Sequence, residues 1–435
     1  MALALQTRAC FVPPEFLADE TDLRNALGEI QARGYNTVLI PAFFEGESLF
    51  QTRRSGRLRG GRCPGHLALS ITREYPFSVW LLVDFLAAGV PGTGKLGELA
   101  RANGEWLMRD YQGNHQFDAG GGAPGLFCWT SVEYRRYLGN LLAELVDGYP
   151  VDGLFFDFRS FPESGDTPET WSHLGYSSLR RIQAELGLDL EAFLTNPTTD
   201  QFRAMERWRQ GQLEHFVESI RARVQEERFE LVTGLLVSAE AVAPNAPWMP
   251  LYRRGVASEV ALIVSPDGIA DGVRDLDLAA TGERPFLVAV EKEEEIVALG
   301  PPLRDIPATG FLVLEPDFET RRPLPPPDMF WTMTGALESD PIAAAATIMT
   351  TLTTRIDRAD PVLLFFDELG EFLALDDPRD VTFKDIFKVR GDVQLIADQI
   401  AQDTEGSAEG RRVIVHELNR VARLLMLAPA QPIQY

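Results

Sequence analysis

The sequence predicts an α/β fold: a (β/α)8 TIM barrel with a mainly helical C-terminal extension. Two features of the chain lead there. Eight short apolar runs bounded by turn residues recur with helical segments between them. The opposing architecture, a doubly wound open sheet, lacks support, because no GxGxxG follows the first run.

The first strand is expected over Arg8 to Val12. Asp19 to Gly34 follows as a helix, with Leu23, Leu27 and Ile30 on one face and Gly34 as its stop. Strands two and three are expected over Asn36 to Phe43 and Phe77 to Phe85. A long segment then holds Trp106, His115, Asp118, a glycine-rich turn and Trp129. Ser131 caps a helix through Val146, with Tyr134, Leu138, Leu141 and Leu145 at helical spacing. Strand four opens with Val151-Asp152-Gly153 and runs through Leu154, Phe155 and Phe156 to Asp157. A continuous apolar run of this kind suits a parallel strand buried on both faces. A second excursion, with a helix over Thr170 to Leu186, precedes a long helix over Gln201 to Glu227. Strands five to eight are expected over Leu231 to Ser238, Val260 to Ser265, Phe286 to Val290 and Gly310 to Leu314. Arg321 to Pro327 is a stiff proline-rich linker. The chain is therefore divided into a barrel over 1–357 and a helical extension over 358–435.

The chain has 435 residues, 45% of them apolar, and a net charge of −23. That field repels phosphate backbones and anionic lipid, so neither nucleic acid nor a membrane is an expected partner. Three cysteines and five scattered histidines show no metal-ligand spacing, so no metal is expected. No nicotinamide, flavin or other cofactor is expected either. Met1 to Leu5 is too short an apolar run for a signal peptide, and the expectation is a cytoplasmic protein.

The chemistry is expected at the C-terminal ends of the strands, where barrels of this class keep their sites. Six of the eight strands present an acid at or just past their C-terminal end: Asp84, Asp157, Glu240, Asp267, Glu291 and Glu315. An acid-lined mouth suits glycoside hydrolysis, which needs one ionised and one protonated carboxyl across the scissile bond. Asp157 and Arg159 leave the fourth strand on the same face, so the guanidinium is expected to hold Asp157 as an anion. Glu240, one strand over, is the first candidate for the partner acid, with Asp84, Glu291 and Glu315 open. Trp106, Trp129, Trp171 and Trp248 fall in expected loops and offer flat platforms for sugar rings. His115 and Asp118 are further polar candidates for binding hydroxyls.

Several blocks also resemble, in order, the bacterial family 10 glycosylhydrolase-like proteins, (β/α)8 relatives of the α-amylase group. They are Arg33 to Val38, Gly46 to Phe50, Glu105 to Leu107, Phe117 to Gly120, Val151 to Asp157 with Pro162 beyond it, and Arg207 to Arg209. The resemblance spans roughly residues 8 to 320 and is most specific at the fourth strand. It implies that Asp157 takes the position where the amylase group carries its nucleophile. Three positions depart from the family pattern. Phe155 replaces a histidine, Arg159 lies two residues after the acid rather than three, and Ile40 to Phe43 replace polar residues.

A glycosidase or transglycosidase acting on a poly- or oligosaccharide is thus the first expectation. A catalytically degenerate barrel that binds a glycan or a protein partner is the second. A phosphate-handling barrel enzyme is third, because Glu291 to Glu295 and Glu315 to Asp317 would repel phosphate where such enzymes bind it.

Overall fold

The structure is a computed structural model. It describes residues 7–50, 52, 63–75, 77–90, 95–109, 125–149, 151–159, 176–189, 193, 198–228, 231–238, 248–263, 286–292, 295 and 308–316. It also describes helical positions at 389, 391–393, 395–397, 400, 418 and 421. The linker and nearly all of the expected C-terminal extension lie outside the described residues.

Eight parallel strands close into a ring: β1 (Thr7–Phe11), β2 (Thr37–Phe44), β3 (Ser78–Val83), β4 (Gly153–Asp157), β5 (Val232–Ser238), β6 (Glu259–Ile263), β7 (Phe286–Lys292) and β8 (Ala308–Glu315). Each pairs with the next, and β1 pairs with both β2 and β8. The expected (β/α)8 barrel is what forms. Five helices of eight residues or more are described: α1 (Glu20–Ala32), α2 (Pro64–Thr72), α3 (Val132–Gly148), α4 (Tyr176–Leu186) and α5 (Thr199–Gln225).

Local signals account for the helix ends. Asp19 caps α1 by accepting the Thr21 and Asp22 amides, and Gly34 follows the helix at φ +84°. Ser131 caps α3 through the Tyr134 amide. Thr198 and Gln201 form a reciprocal capping box at the start of α5. Helix α2 has no counterpart among the expected elements. Its signals are Pro64 in the first turn and the buried stripe Ala68, Leu69, Ile71.

Alternation along the strands builds two cores. One face of each strand meets the helices. The other fills the barrel with Ala9, Phe11, Leu39, Trp80, Leu82, Phe155, Leu236, Ala261, Leu287, Ala289, Leu312 and Leu314. Trp80 and Phe155 stack inside it, with ring centroids 4.7 Å apart and planes at 20°. Each ring leans over a glycine on the following strand. A Cβ on Gly153 would lie 2.6 Å from Trp80, and one on Gly234 would lie 2.3 Å from Phe155. Large side chains beside glycines let the interior close without a void.

Gly234→Ala should therefore overpack the barrel and cost about 1–3 kcal/mol, measured by chemical denaturation. Gly211→Ala is the control. That glycine is exposed on α5, and a methyl group added there would meet nothing within 4 Å. Alanine at this position should raise stability by about 0.5–1 kcal/mol.

Candidate active site

The strands that carry Trp80 and Phe155 also carry the candidate acids. In β3 the inward residues run Trp80, Leu82 and then Asp84. In β4 they run Gly153, Phe155 and then Asp157. The register pairs Leu82 with Phe155 and Val83 with Phe156. One further step sets Asp84 beside Asp157. Both carboxyls thus sit on the apolar floor of Leu82 and Phe155, and both residues are buried, at 6% and 4% exposure.

Their partners differ. Arg159 closes on Asp157. Its Nε lies 3.0 Å from each carboxylate oxygen, its Nη2 donates to Oδ2 at 2.6 Å, and its backbone N–H donates to Oδ1 at 3.0 Å. Burial alone would lower the Arg159 pKa. The charge and hydrogen bonds of Asp157 outweigh it and raise the pKa, with smaller help from Asp84 and Glu291. A guanidinium this firmly protonated is a permanent counterion for Asp157.

Among the described residues Asp84 has no such bridge. Its Oδ1 accepts the Ala87 amide at 3.1 Å. Burial, reinforced by the neighbouring charge of Asp157, pushes its carboxyl up to about 7, against the weaker opposing pull of backbone amides and Arg159. The segment after it is pinned as well: Tyr134 on α3 donates its hydroxyl to the Phe85 carbonyl at 2.7 Å. Burial holds that phenol far above its ordinary pKa, so it stays a donor.

The other expected residues separate into three groups. Glu291 follows Leu287 and Ala289 on the inward face of β7 and contributes to the field on Arg159. Glu315 follows the inward Leu314, so it leaves β8 on the opposite face from Asp157. It reaches the mouth from the rim of a 700 Å³ cleft that Arg159 also lines. Glu240, Asp267, His115, Asp118 and Trp171 lie outside the described residues.

The tryptophan platforms need correction. Trp129 and Trp248 are each 1% exposed and belong to the core between strands and helices. No ring face is left to a sugar. Trp106 is half-buried against Tyr134 and Tyr137, with centroids 5.9 and 5.5 Å away. Hydrogen bonds fold this excursion back on the barrel, from the Met108 amide to the Leu126 carbonyl and from the Phe127 amide to the Leu86 carbonyl, at 2.7 Å each. A tryptophan in a loop carries no sequence signal of that return. Among the described residues, no group of three or more His, Cys, Asp or Glu is arranged to hold a metal. None of the described helices is long and apolar enough to cross a membrane.

Comparison with known proteins adds the fold family. No protein-family model and no curated protein sequence matches the chain. Solved structures do. The PgaB (BpsB) glycoside hydrolase domain from Bordetella bronchiseptica superposes with a TM-score of 0.54 at 16% identity, covering 72% of this chain and 95% of that domain. The likeness is to the barrel fold of that domain. The catalytic domain of β-amylase from Paenibacillus polymyxa gives 0.51 at 11% identity, covering 72% and 93% of the two chains. The β-galactosidase from Marinomonas ef1 gives 0.50 at 12%, covering 84% of this chain and 61% of that one. At these identities the likeness is one of fold.

The raised carboxyl sets a pH dependence. Unfolded, Asp84 loses its proton near its ordinary value of 3.8, whereas folded it keeps it to about 7. The folded state binds the extra proton in that window, so stability should fall as pH rises from about 4 to 7. Asp84→Asn should remove this component, and thermal melts of both proteins across that range check it.

Proposed function

We propose that this chain is a glycoside hydrolase or transglycosidase acting on a poly- or oligosaccharide, with Asp157 and Asp84 as its carboxylate pair. The observation that carries the reading is their contrast: two buried neighbours, one bound by a guanidinium and the other driven toward its neutral form. In glycosidases one carboxylate of such a pair serves as the ionised partner and the other as general acid. In this reading Asp157 faces the anomeric carbon and stabilises the positive charge that develops there. Asp84 donates its proton to the glycosidic oxygen as the bond breaks. It takes the acid role that the sequence alone assigned to Glu240. Adjacent parallel strands lie about 4.8 Å apart. Such closeness favours the retaining arrangement, which uses a carboxyl separation of about 5–5.5 Å, over the inverting one at about 6.5–9.5 Å. The fold neighbours support the substrate class. The block resemblance extends the proposal to the family 10 glycosylhydrolase-like group, with a cytoplasmic barrel ending near residue 357 and a helical appendage after it.

One observation favours a second reading. Both oxygens of Asp157 are engaged by Arg159, as in a purely structural pair. A degenerate barrel that binds a glycan or a protein partner without turnover would look the same there.

Hydrolysis of a panel of oligosaccharides separates the two. If the pair is catalytic, Asp157→Asn should abolish turnover with little change in melting temperature. Asp84→Asn should then lower kcat by about 10²–10⁴-fold. If the pair is structural, the wild type should show no turnover. Asp157→Asn should then cost roughly 3 kcal/mol, near the low end for a broken buried pair because the Arg159 side chain is 36% exposed.

A further inference from the structure

The cleft beside Arg159 is formed by the ends of β8, β1 and β2 and the segments that follow them, and the described residues that line it include no tryptophan. We propose that it is a glycan subsite that stacks an uncharged sugar ring on Phe16 and Phe44 and excludes chains bearing carboxylates. The inference rests on the glycosidase-like reading for the ligand class alone, and not on turnover.

The cleft volume, 700 Å³, lies within the range of small-molecule sites, about 300–1,000 Å³. Phe16 and Phe44 line it and are partly exposed. Phe11 lies behind them, its ring centroid 6.5 Å from that of Phe44. Flat apolar faces of this kind suit the C–H face of a pyranose, whose hydroxyls then point to the rim. The rim supplies acceptors through Glu15, Glu45 and Glu315.

The charges decide which sugars fit. Among the described residues, three glutamates and one arginine line the cleft, and the arginine is already paired through Nε and Nη2 with Asp157. A uronate entering here meets a carboxylate rim and a guanidinium that is already neutralised. Glu15 and Glu315 are exposed, so the repulsion is strongest at low ionic strength.

Glu45 adds a local detail. Phe44 pairs with Glu47 across a two-residue turn, Glu45-Gly46, with φ of +51° and +78°. Such turns ordinarily take Asn-Gly, because most side chains are strained in the left-handed region. Gly46 is required, since a Cβ there would lie 2.7 Å from the Ala88 carbonyl carbon. Glu45 is not required by the turn.

The test is isothermal titration of the full chain with maltotetraose, cellotetraose, chitotetraose and tetragalacturonate. At least one neutral tetrasaccharide should bind, and tetragalacturonate should not. Phe44→Ala should weaken the neutral ligand about tenfold. Glu45→Asn fits the turn better, so it should keep or raise the melting temperature while letting tetragalacturonate bind. The inference is overturned if tetragalacturonate binds the wild type as well as any neutral ligand, if no neutral ligand binds, or if folded Phe44→Ala binds unchanged. Turnover that depends on Asp157, with binding indifferent to Phe44, would retain the catalytic reading and reject the subsite. Binding lost on Phe44→Ala in a protein without turnover would do the reverse.

Discussion

Two carboxyls leave neighbouring strands side by side on a dry floor, and one guanidinium lies within reach of both. Arg159 spends its fork on Asp157, so Asp84 meets a buried anion with only backbone amides and a distant share of Arg159 to help it ionise. Keeping its proton is the lower-energy state up to about pH 7. Burial sets this state and the neighbouring charge of Asp157 reinforces it.

The arrangement depends on the barrel beneath it. Trp80 and Phe155 stack across the interior because Gly153 and Gly234 leave them room. Their strands then run on and deliver Asp84 and Asp157 in register. The floor excludes water from below, and that exclusion raises the Asp84 carboxyl. The Tyr134 hydroxyl fixes the Phe85 carbonyl directly after Asp84, so α3 also helps set the acid's position. Packing and chemistry here share the same residues, and a change in the ring stack should be felt at the carboxyls.

Much of this was legible in the chain. Strands buried on both faces read as continuous apolar runs, which is why all eight were placed. Period-two alternation put Asp157 and Arg159 on one face, and the bridge forms there. What failed depends on long-range folding. Trp129 and Trp248 sit in segments that read as loops, but those segments fold back and bury their rings. Glu315 looked like a ring member, yet Leu314 faces inward, so Glu315 approaches only from the rim. The contrast between Asp84 and Asp157 was not legible either. The Arg159 bridge was read from the spacing, but the raised Asp84 carboxyl arises from burial beside Asp157 once the strands pair, and no sequence spacing records that. The phenylalanine wall of the cleft combines residues from the ends of β1 and β2 and the turn between β1 and α1, which only closure of the barrel brings against β8.

The central claim is that Asp84 holds its proton because it is buried beside the charge of Asp157. NMR titration of the Asp84 side-chain carboxyl carbon measures this directly, in the wild type and in Asp157→Asn. The account predicts a wild-type midpoint near 7, well above the ordinary 3.8. It predicts a lower midpoint in the variant, where the neighbouring charge is gone and Arg159 is released toward Asp84. A wild-type midpoint near the ordinary value, or one that does not move when Asp157 loses its charge, would contradict it.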